Sequence, residues 1–331
     1  MADKGIAAEV PRHGDPAPLV RIIGWTILGA LVAFLINNVL NVGFDIPGAF
    51  SIFSDGGSGA LVSVLVYVVA VALAIGYVLR TSDTALRWDA HKIHRFNVYI
   101  IRACFWVVLL VGVIDSTIAI MRVEKYLDFF FDPDTVRSFG LSKFVGTYVH
   151  IPLIVLGFVI AFFTRTVGFV WLALMIVGAE LLIVISRFVF SYEQALMGDL
   201  VRYWYAALFL FASAYTLFED GHVRVDVLYA GFTNKSRGFV NAVGSLFLGI
   251  TTCWVILVIG FNGKASIINA PVMNFEITQT GGVGMFVKYQ MALFLGVFAA
   301  TMLLQFVSFF FEAVADHRNQ PGRREATPIG H

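Results

Sequence analysis

Two carboxylates lie inside long apolar segments, where an ionisable group has chemical consequences. Asp115 falls within the apolar run 99–121 and Glu180 within the run 167–186. A charge at membrane depth is costly, so such a residue usually faces a partner, a cavity or an ion path. The functional interpretation makes one of them a proton or cation site. The structural interpretation pairs Glu180 with Arg187, two helical turns on, or uses both carboxylates to hold helices or a partner subunit together.

The histidines do not follow the pattern of a haem-binding membrane subunit, which needs pairs facing each other at matching depth in two helices. Only His150 lies near an apolar run. His91 and His94, three residues apart, could hold a metal ion only with further ligands. The sequence therefore predicts neither a cofactor nor a metal site. The remaining histidines are His13, His222, His317 and His331.

Nucleotide and thiol chemistry are not expected either. The stretch 260–264, Gly-Phe-Asn-Gly-Lys, lacks the spacing and the hydroxyl residue of a phosphate-binding loop, so an ATPase role is not indicated. Cys104 and Cys253 both lie in apolar runs, which predicts neither a disulfide framework nor a thiolate metal site. We expect a protein that is not an enzyme.

The composition is that of a membrane protein. Charged residues make up 14% of the chain, against about 25% in a soluble domain, and hydrophobic residues reach 59%. Mean hydropathy is +0.82, so the chain holds more apolar surface than one soluble core could bury. The formal net charge of +1 argues against a nucleic-acid partner.

These features predict an all-α, polytopic membrane protein with about eight transmembrane helices. The eight predicted spans are 19–40, 60–79, 99–121, 148–163, 167–186, 203–218, 239–261 and 286–311. The predicted regions are a disordered tail 1–18, a four-helix extension 19–165, a four-helix core 166–315 and a basic tail 316–331.

Short interfacial helices are predicted between the spans. In 81–98, apolar residues at helical spacing oppose a basic side, which favours a surface helix or a plain basic connector. The segment 191–202 predicts a second short surface helix. Pro133 is expected to start or break a short helix in the loop 122–147. Most of the 23 Lys and Arg residues fall on the side of the N-terminus, which predicts that both termini are cytoplasmic.

The densest polar cluster between two apolar runs is the stretch 219–229. Polar and apolar residues alternate in its Gly-His-Val-Arg-Val-Asp-Val portion, 221–227, which suits a short extended or interfacial segment.

Three short motifs in this half of the chain resemble a known family. They are Ser-Arg-Phe-Val-Phe at 186–190, Gly-Asp-Leu-Val-Arg-Tyr at 198–203 and Gly-His-Val-Arg-Val-Asp-Val-Leu at 221–228. Their order is similar to that in the DctQ-type small membrane subunit of tripartite ATP-independent periplasmic (TRAP) transporters. The resemblance covers about 166–315. The family commonly has Glu where Asp199 stands, and only its long-form members have four further helices before the core.

The resemblance implies a non-catalytic scaffold subunit in the bacterial inner membrane, in contact with membrane lipid. In such systems a periplasmic binding protein captures an organic anion, often a carboxylate. A large permease subunit, braced by the small one, then moves the anion, commonly with sodium. The residues expected at helix ends or at the permease interface are Arg187, Asp199, Arg202, Glu219, His222, Arg224 and Asp226.

Other interpretations stay open. Locally, Asp226 could cap a helix while Arg187 and Arg224 extend to lipid phosphates. The chain could instead be a self-sufficient secondary carrier or channel that uses Glu180 and Asp115. A third alternative is an assembly or anchoring subunit of another membrane complex.

Overall fold

The fold is helical throughout the part of the chain that can be described. The computed structural model describes residues 11–53, 57–165, 168–193, 195–219 and 229–323. Within these ranges the chain forms helices and no strand, apart from one isolated bridge between His13 and Thr84. The prediction of an all-α fold is confirmed.

Eight of the described helices are long and apolar enough to cross a membrane, which confirms the predicted polytopic architecture. Because a helix rises 1.5 Å per residue, about 20 residues cross the hydrocarbon core, and the shortest of the eight has 21. The helices are α1 Pro18–Phe44, α2 Gly57–Arg80, α3 Leu86–Val123, α4 Ser142–Phe163, α5 Phe169–Val189, α6 Ala195–Phe218, α7 Asn234–Gly260 and α8 Lys288–His317.

The prediction of a separate surface helix or connector at 81–98 is wrong. Helix α3 starts at Leu86 and continues for 38 residues through the third span. Neither Pro nor Gly interrupts the chain between Leu86 and Val111, so nothing ends the helix at the predicted boundary. Arg87, assigned to the basic side, is buried.

The predicted surface helix 191–202 is also wrong, because its second half is the beginning of α6. Leu196, Asp199 and Tyr203 are all buried, and their spacing of three and four residues places them on one face of the helix. The apolar face of the sixth span therefore begins earlier than its hydropathy indicates.

Two local features fix the geometry of the loop 122–147 and of α4. A short helix, Pro133–Phe139, begins where Pro133 predicts, and the Asp132 side chain accepts a hydrogen bond from the Thr135 N–H at its start. Helix α4 contains a π-helical turn at Gly146–His150. A π turn inserts an extra residue per turn and re-aims the side chains that follow.

The chain divides into two compact units, each made of segments that are distant in sequence. Unit 1 comprises the described parts of Met1–Asn97, Thr216–Lys264 and Met302–His331. Unit 2 comprises the described parts of Val98–Tyr215 and Ala265–Thr301. The four regions predicted in order along the sequence stay a prediction.

In unit 1 small residues allow helices to approach closely. A Cβ on Gly29 of α1 would lie 3.0 Å from the Ala70 carbonyl oxygen of α2. Farther along the same pair, the Asn37 side chain donates a hydrogen bond to the Ser63 carbonyl at 3.1 Å. Small residues and polar side chains are the usual means of holding helices together in lipid.

Unit 2 uses the same device. A Cβ on Gly112 of α3 would lie 2.2 Å from Nε1 of Trp204. That indole also donates a hydrogen bond to the Val108 carbonyl at 3.2 Å. A Cβ on Gly157 of α4 would lie 2.8 Å from the Val107 nitrogen. The close approach of α3, α4 and α6 positions the polar residues described next.

Candidate functional site

Two buried carboxylates in unit 2 bind adjacent backbone amides. Asp115, on α3, accepts a hydrogen bond from the Phe286 N–H at 2.8 Å. Asp199, on α6, accepts one from the Met285 N–H at 3.1 Å. The side chains of Asp115 and Asp199 are 0% and 1% exposed. The two amides immediately precede α8, so two anions lie at the positive end of that helix dipole.

Asp199 has further partners from the loop that leads into α8. Its Oδ2 accepts hydrogen bonds from the hydroxyls of Thr278 and Thr280, at 3.2 and 2.9 Å. A Cβ on Gly284 would lie 2.3 Å from the same oxygen, so the loop passes too close for any side chain at this position. A short carboxylate on α6 is thus enclosed by the 278–285 backbone and its threonines.

Arg122 binds the carbonyl groups of the same loop. Its guanidinium donates to the carbonyls of Gly282 and Gly284 at 2.7 and 2.5 Å. The guanidinium also lies 4.1 Å from the centre of the Phe286 ring, which is cation–π geometry. The carboxylates bind the N–H groups of the loop and Arg122 binds its carbonyls. We call the set Asp115, Asp199, Arg122 and residues 278–286 the α8 entry clamp.

A chain of polar contacts continues from Asp115 into the core of unit 2. Nε2 of His150 lies 3.2 Å from Oδ1 of Asp115, without the alignment of a hydrogen bond. The other ring nitrogen, Nδ1, is 2.8 Å from the Tyr289 hydroxyl. Gln290 then donates to that hydroxyl at 3.1 Å, and the Tyr203 hydroxyl donates to Gln290 at 2.5 Å.

This polar chain joins four helices of the same unit. Its members come from α3, α4, α6 and α8, and His150 is the last residue of the π turn in α4. Tyr289 can donate to Nδ1 of a neutral His150, so the side-chain hydrogen bonds can all run in one direction. The hydrogen bonds from Tyr203 through Gln290 and Tyr289 to His150 pair buried polar groups with one another and so fix the register of α4, α6 and α8.

The other predicted site residues lie elsewhere. Glu180 is exposed on α5, and within the described residues it has no hydrogen-bond or ion-pair partner. The predicted pairing of Glu180 with Arg187 is wrong, because Arg187 instead lies 3.4 Å from Glu193. Arg202 and Glu219 are exposed. His222, Arg224 and Asp226 lie outside the described residues. The structure thus brings Asp115 and Asp199 to one loop and leaves Glu180, Arg187, Arg202 and Glu219 apart from it.

Several residues of the clamp and of the adjoining polar chain carried no clear sequence signal. Arg122 follows Asp115 by two helical turns, so their shared face of α3 was readable from the sequence. Thr278, Tyr289 and Gln290 had no such pattern. His94, considered for a metal, lies 3.0 Å from the Gln305 side chain. Among the described residues, no group of three or more His, Cys, Asp or Glu side chains is placed to hold a metal ion.

Helix α5 has the most exposed apolar surface of the eight spans. Only Leu172 and Ile176 are buried along its length. In its most apolar 18-residue window 11% of residues are buried, against 56% in α8. Side chains exposed on such a helix face either lipid or another protein. The exposed large apolar residues of α5 are Val170, Trp171, Leu174, Val177, Leu181, Leu182, Val184, Ile185, Phe188 and Val189.

Unit 2 also contains a hydrogen bond between a tyrosine and a carboxylate outside the spans. The Tyr192 hydroxyl, in the connection between α5 and α6, hydrogen-bonds to the Glu124 carboxylate. This bond favours the neutral phenol and raises the pKa of Tyr192 to about 12.

Comparison with known proteins agrees with the motif pattern. Residues 175–316 match the family model described as "Tripartite ATP-independent periplasmic transporters, DctQ component". The resemblance drawn from 166–315 is therefore confirmed over nearly the same range. No curated protein and no solved structure matches the chain.

Proposed function

Taking as premise that residues 175–316 form a DctQ-type region, we propose that this chain is the small scaffold subunit of a TRAP transporter. In this proposal it supports a large permease subunit during uptake of an organic anion. A periplasmic binding protein delivers that anion, and an ion gradient, commonly of sodium, drives its uptake. The family match is the observation that carries the proposal.

The chemistry of unit 2 supports a bracing role. The Oδ2 atoms of Asp115 and Asp199 accept hydrogen bonds from backbone N–H groups and, for Asp199, from hydroxyls of the same unit, and both Oδ1 atoms are buried without a hydrogen bond. A coupling-ion site would instead need carboxylate oxygens that face a path for the ion. The α8 entry clamp therefore serves to hold helices in place.

Helix α5 is the surface that we assign to the permease. The family match begins within it, at residue 175, and exposed apolar side chains occur along it from Val170 to Val189. Glu180 lies on this helix, and no cation among the described residues pairs with it. A carboxylate at such depth is stabilised by a partner's donor or cation, and contact with a second subunit would supply one.

Placement in the membrane forms part of the same proposal. As a TRAP subunit the chain would be a multi-pass protein of the bacterial inner membrane. Its Lys and Arg distribution favours both termini in the cytoplasm. A topology reporter fused to either terminus should be inactive when it requires export. A reporter that becomes active at a terminus contradicts this orientation.

Affinity purification of the tagged full chain from its native membrane tests the proposal. We expect a larger multi-span permease to co-purify, together with a soluble periplasmic binding protein. Recovery of a different complex contradicts the proposal, as does recovery of the chain alone. Gradient-driven solute uptake by liposomes that contain only this chain would likewise contradict a scaffold role.

A matched pair of variants locates the interface. Leu181 on α5 and Leu65 on α2 are 57% and 59% exposed, and Leu65 lies outside the matched region. Because an added ring overpacks a protein interface but is accommodated by lipid, Leu181→Trp should lower the permease yield several-fold and Leu65→Trp should not. Equal yields from the two variants remove α5 from the interface.

A further inference from the structure

Unit 1 contains a cationic cavity that the proposed function does not use. Its volume is about 490 Å³, within the range of small-ligand sites. It lies along the first three turns of α3. It is lined by Arg12, Trp88, His91, Lys92, Arg95 and Phe96.

The cavity lining has three fixed positive charges and no acid. Arg12, Lys92 and Arg95 supply the charges. Two acids near the start of α3 are paired elsewhere. Asp83 pairs with His13 at 2.7 Å, and Asp89 pairs with Arg21 at 2.7 Å. Like charges gathered without an acid among the described lining residues repel one another, so an anion bound among them would be stabilised.

Arg12 is held in place by backbone hydrogen bonds. The Gly14 N–H donates to the Asp83 carbonyl at 3.0 Å, and the Ala85 N–H donates to the Arg12 carbonyl at 3.0 Å. These two bonds fix the N-terminal segment against the turn that precedes α3. The Arg12 side chain therefore reaches the cavity from a backbone that is already fixed, so less entropy is lost when a ligand binds.

Helix α3 is equally well fixed on its buried side. Arg87 pairs with Glu312 and Asp316, at 2.5 and 2.8 Å. Arg21 is fully buried against Asp89, which also accepts a hydrogen bond from Trp25 at 2.9 Å. These ion pairs hold the first turns of the helix, so its cavity-facing side chains project from a rigid support.

We propose that this cavity binds the phosphate group of an anionic phospholipid. Arg guanidinium groups match phosphate oxygens in bidentate fashion. Lys92 adds a further charge, and its ammonium also donates a hydrogen bond to the Tyr77 hydroxyl at 3.2 Å. Trp88 and Phe96 flank the charges, and Phe96 is 56% exposed. Exposed aromatic rings beside basic groups are typical of the headgroup region of a membrane, where basic pockets bind lipid headgroups.

The test measures lipid retained by the full-length chain, purified with its co-purifying partners and placed in nanodiscs. Nanodiscs that contain phosphatidylglycerol are compared with discs of phosphatidylcholine alone, and retained lipid is counted by native mass spectrometry. At roughly fivefold per cation, Arg12→Gln/Arg95→Gln should retain phosphatidylglycerol about 25-fold more weakly. Arg12→Lys/Arg95→Lys should keep most of the retention, because the charge remains.

Arg80→Gln is the matched control, since Arg80 is an exposed arginine near the same turn that does not line the cavity. It should retain lipid like the unchanged chain. Equal retention by the Gln double variant and the control overturns the proposal. The Lys double variant provides a second check, because loss of retention there, with helical content unchanged, also contradicts it.

Inorganic phosphate distinguishes the two sources of the ligand. Retention of phosphatidylglycerol that persists in millimolar phosphate supports a lipid headgroup as the ligand. Displacement by phosphate at that concentration shows that the cavity binds free phosphate, and this overturns the assignment to lipid. The result is independent of co-purification with a permease, so the proposed function and this site can fail separately.

Discussion

The two units bury charge in different ways. In unit 1, Arg21 faces Asp89 and Arg87 faces two acids, so each buried charge meets an opposite one. In unit 2, Asp115 and Asp199 are held mainly by backbone N–H groups and hydroxyls. The ion pairs of unit 1 depend on both of their members, whereas in unit 2 several neutral donors share the stabilisation of one carboxylate. The two should therefore respond differently to the loss of one side chain.

The largest effect is expected where unit 1 loses one half of a buried pair. Arg21→Gln leaves the carboxylate of Asp89 buried without its cation, which should lower the free energy of unfolding by about 3–5 kcal/mol. Unfolding in mixed detergent micelles, followed by helical circular dichroism, measures the change. The exposed control Arg80→Gln should stay within about 0.5 kcal/mol of the unchanged chain.

A double variant sharpens this result. Arg21→Met/Asp89→Leu removes both charges and should recover most of the lost stability, because a buried pair often contributes little beyond an apolar replacement. If the double variant is as unstable as Arg21→Gln, the loss does not come from an uncompensated charge, and the contrast between the units fails.

A smaller effect is expected in unit 2. Asp199→Ala leaves the Met285 N–H without its acceptor, while Thr278 and Thr280 can still bond to each other. The expected loss is about 1–3 kcal/mol, the cost of one unsatisfied buried donor. Asp199→Asn keeps an acceptor oxygen and should lose less. A loss as large as that of Arg21→Gln would show that Asp199 acts as one half of an ion pair.

The smallest effect is expected at Asp132, an exposed carboxylate that also accepts hydrogen bonds from a backbone N–H and a hydroxyl. It accepts hydrogen bonds from the Thr135 hydroxyl and N–H, which lower the pKa of its carboxyl from the ordinary 3.8. Its contribution is therefore complete above that ordinary value and is lost as the pH falls through the lowered pKa. Carboxyl carbon shifts followed by NMR should show this titration, and Thr135→Val should return the pKa towards 3.8. An unchanged pKa in that variant contradicts the hydrogen-bond origin.

Much of the fold could be read from the sequence because apolar length alone determines which segments cross a membrane. All eight spans were predictable on that basis, and only their ends were not. The segment 81–98 differs from the prediction because basic residues are usually exposed to water. Arg87 is instead neutralised by Glu312, which lies 225 residues farther along the chain. No local pattern can reveal a partner at that distance.

The site shows the same division between local and distant information. The cost of a buried charge marked Asp115 as important, and a short motif marked Asp199. Their actual partners, the amides of Phe286 and Met285, lie 171 and 86 residues away. Backbone donors have no sequence signature, so the α8 entry clamp could not be predicted. The spacing of seven residues predicts a pair between Glu180 and Arg187, but the partner of Arg187 is Glu193.

The pairing of Arg87 with Glu312 also has a consequence for the order in which the chain folds during synthesis. The arginine is synthesised 225 residues before that acid, and Asp316 comes four residues later still. At about 5–20 residues per second, translation takes roughly 10–45 s to cover that interval. During this time the Arg87 guanidinium is in the nascent chain without Glu312 and Asp316. Unit 1 can therefore be completed only when the end of α8 leaves the ribosome, and a chain cut short before Glu312 would expose Arg87 to cellular quality control.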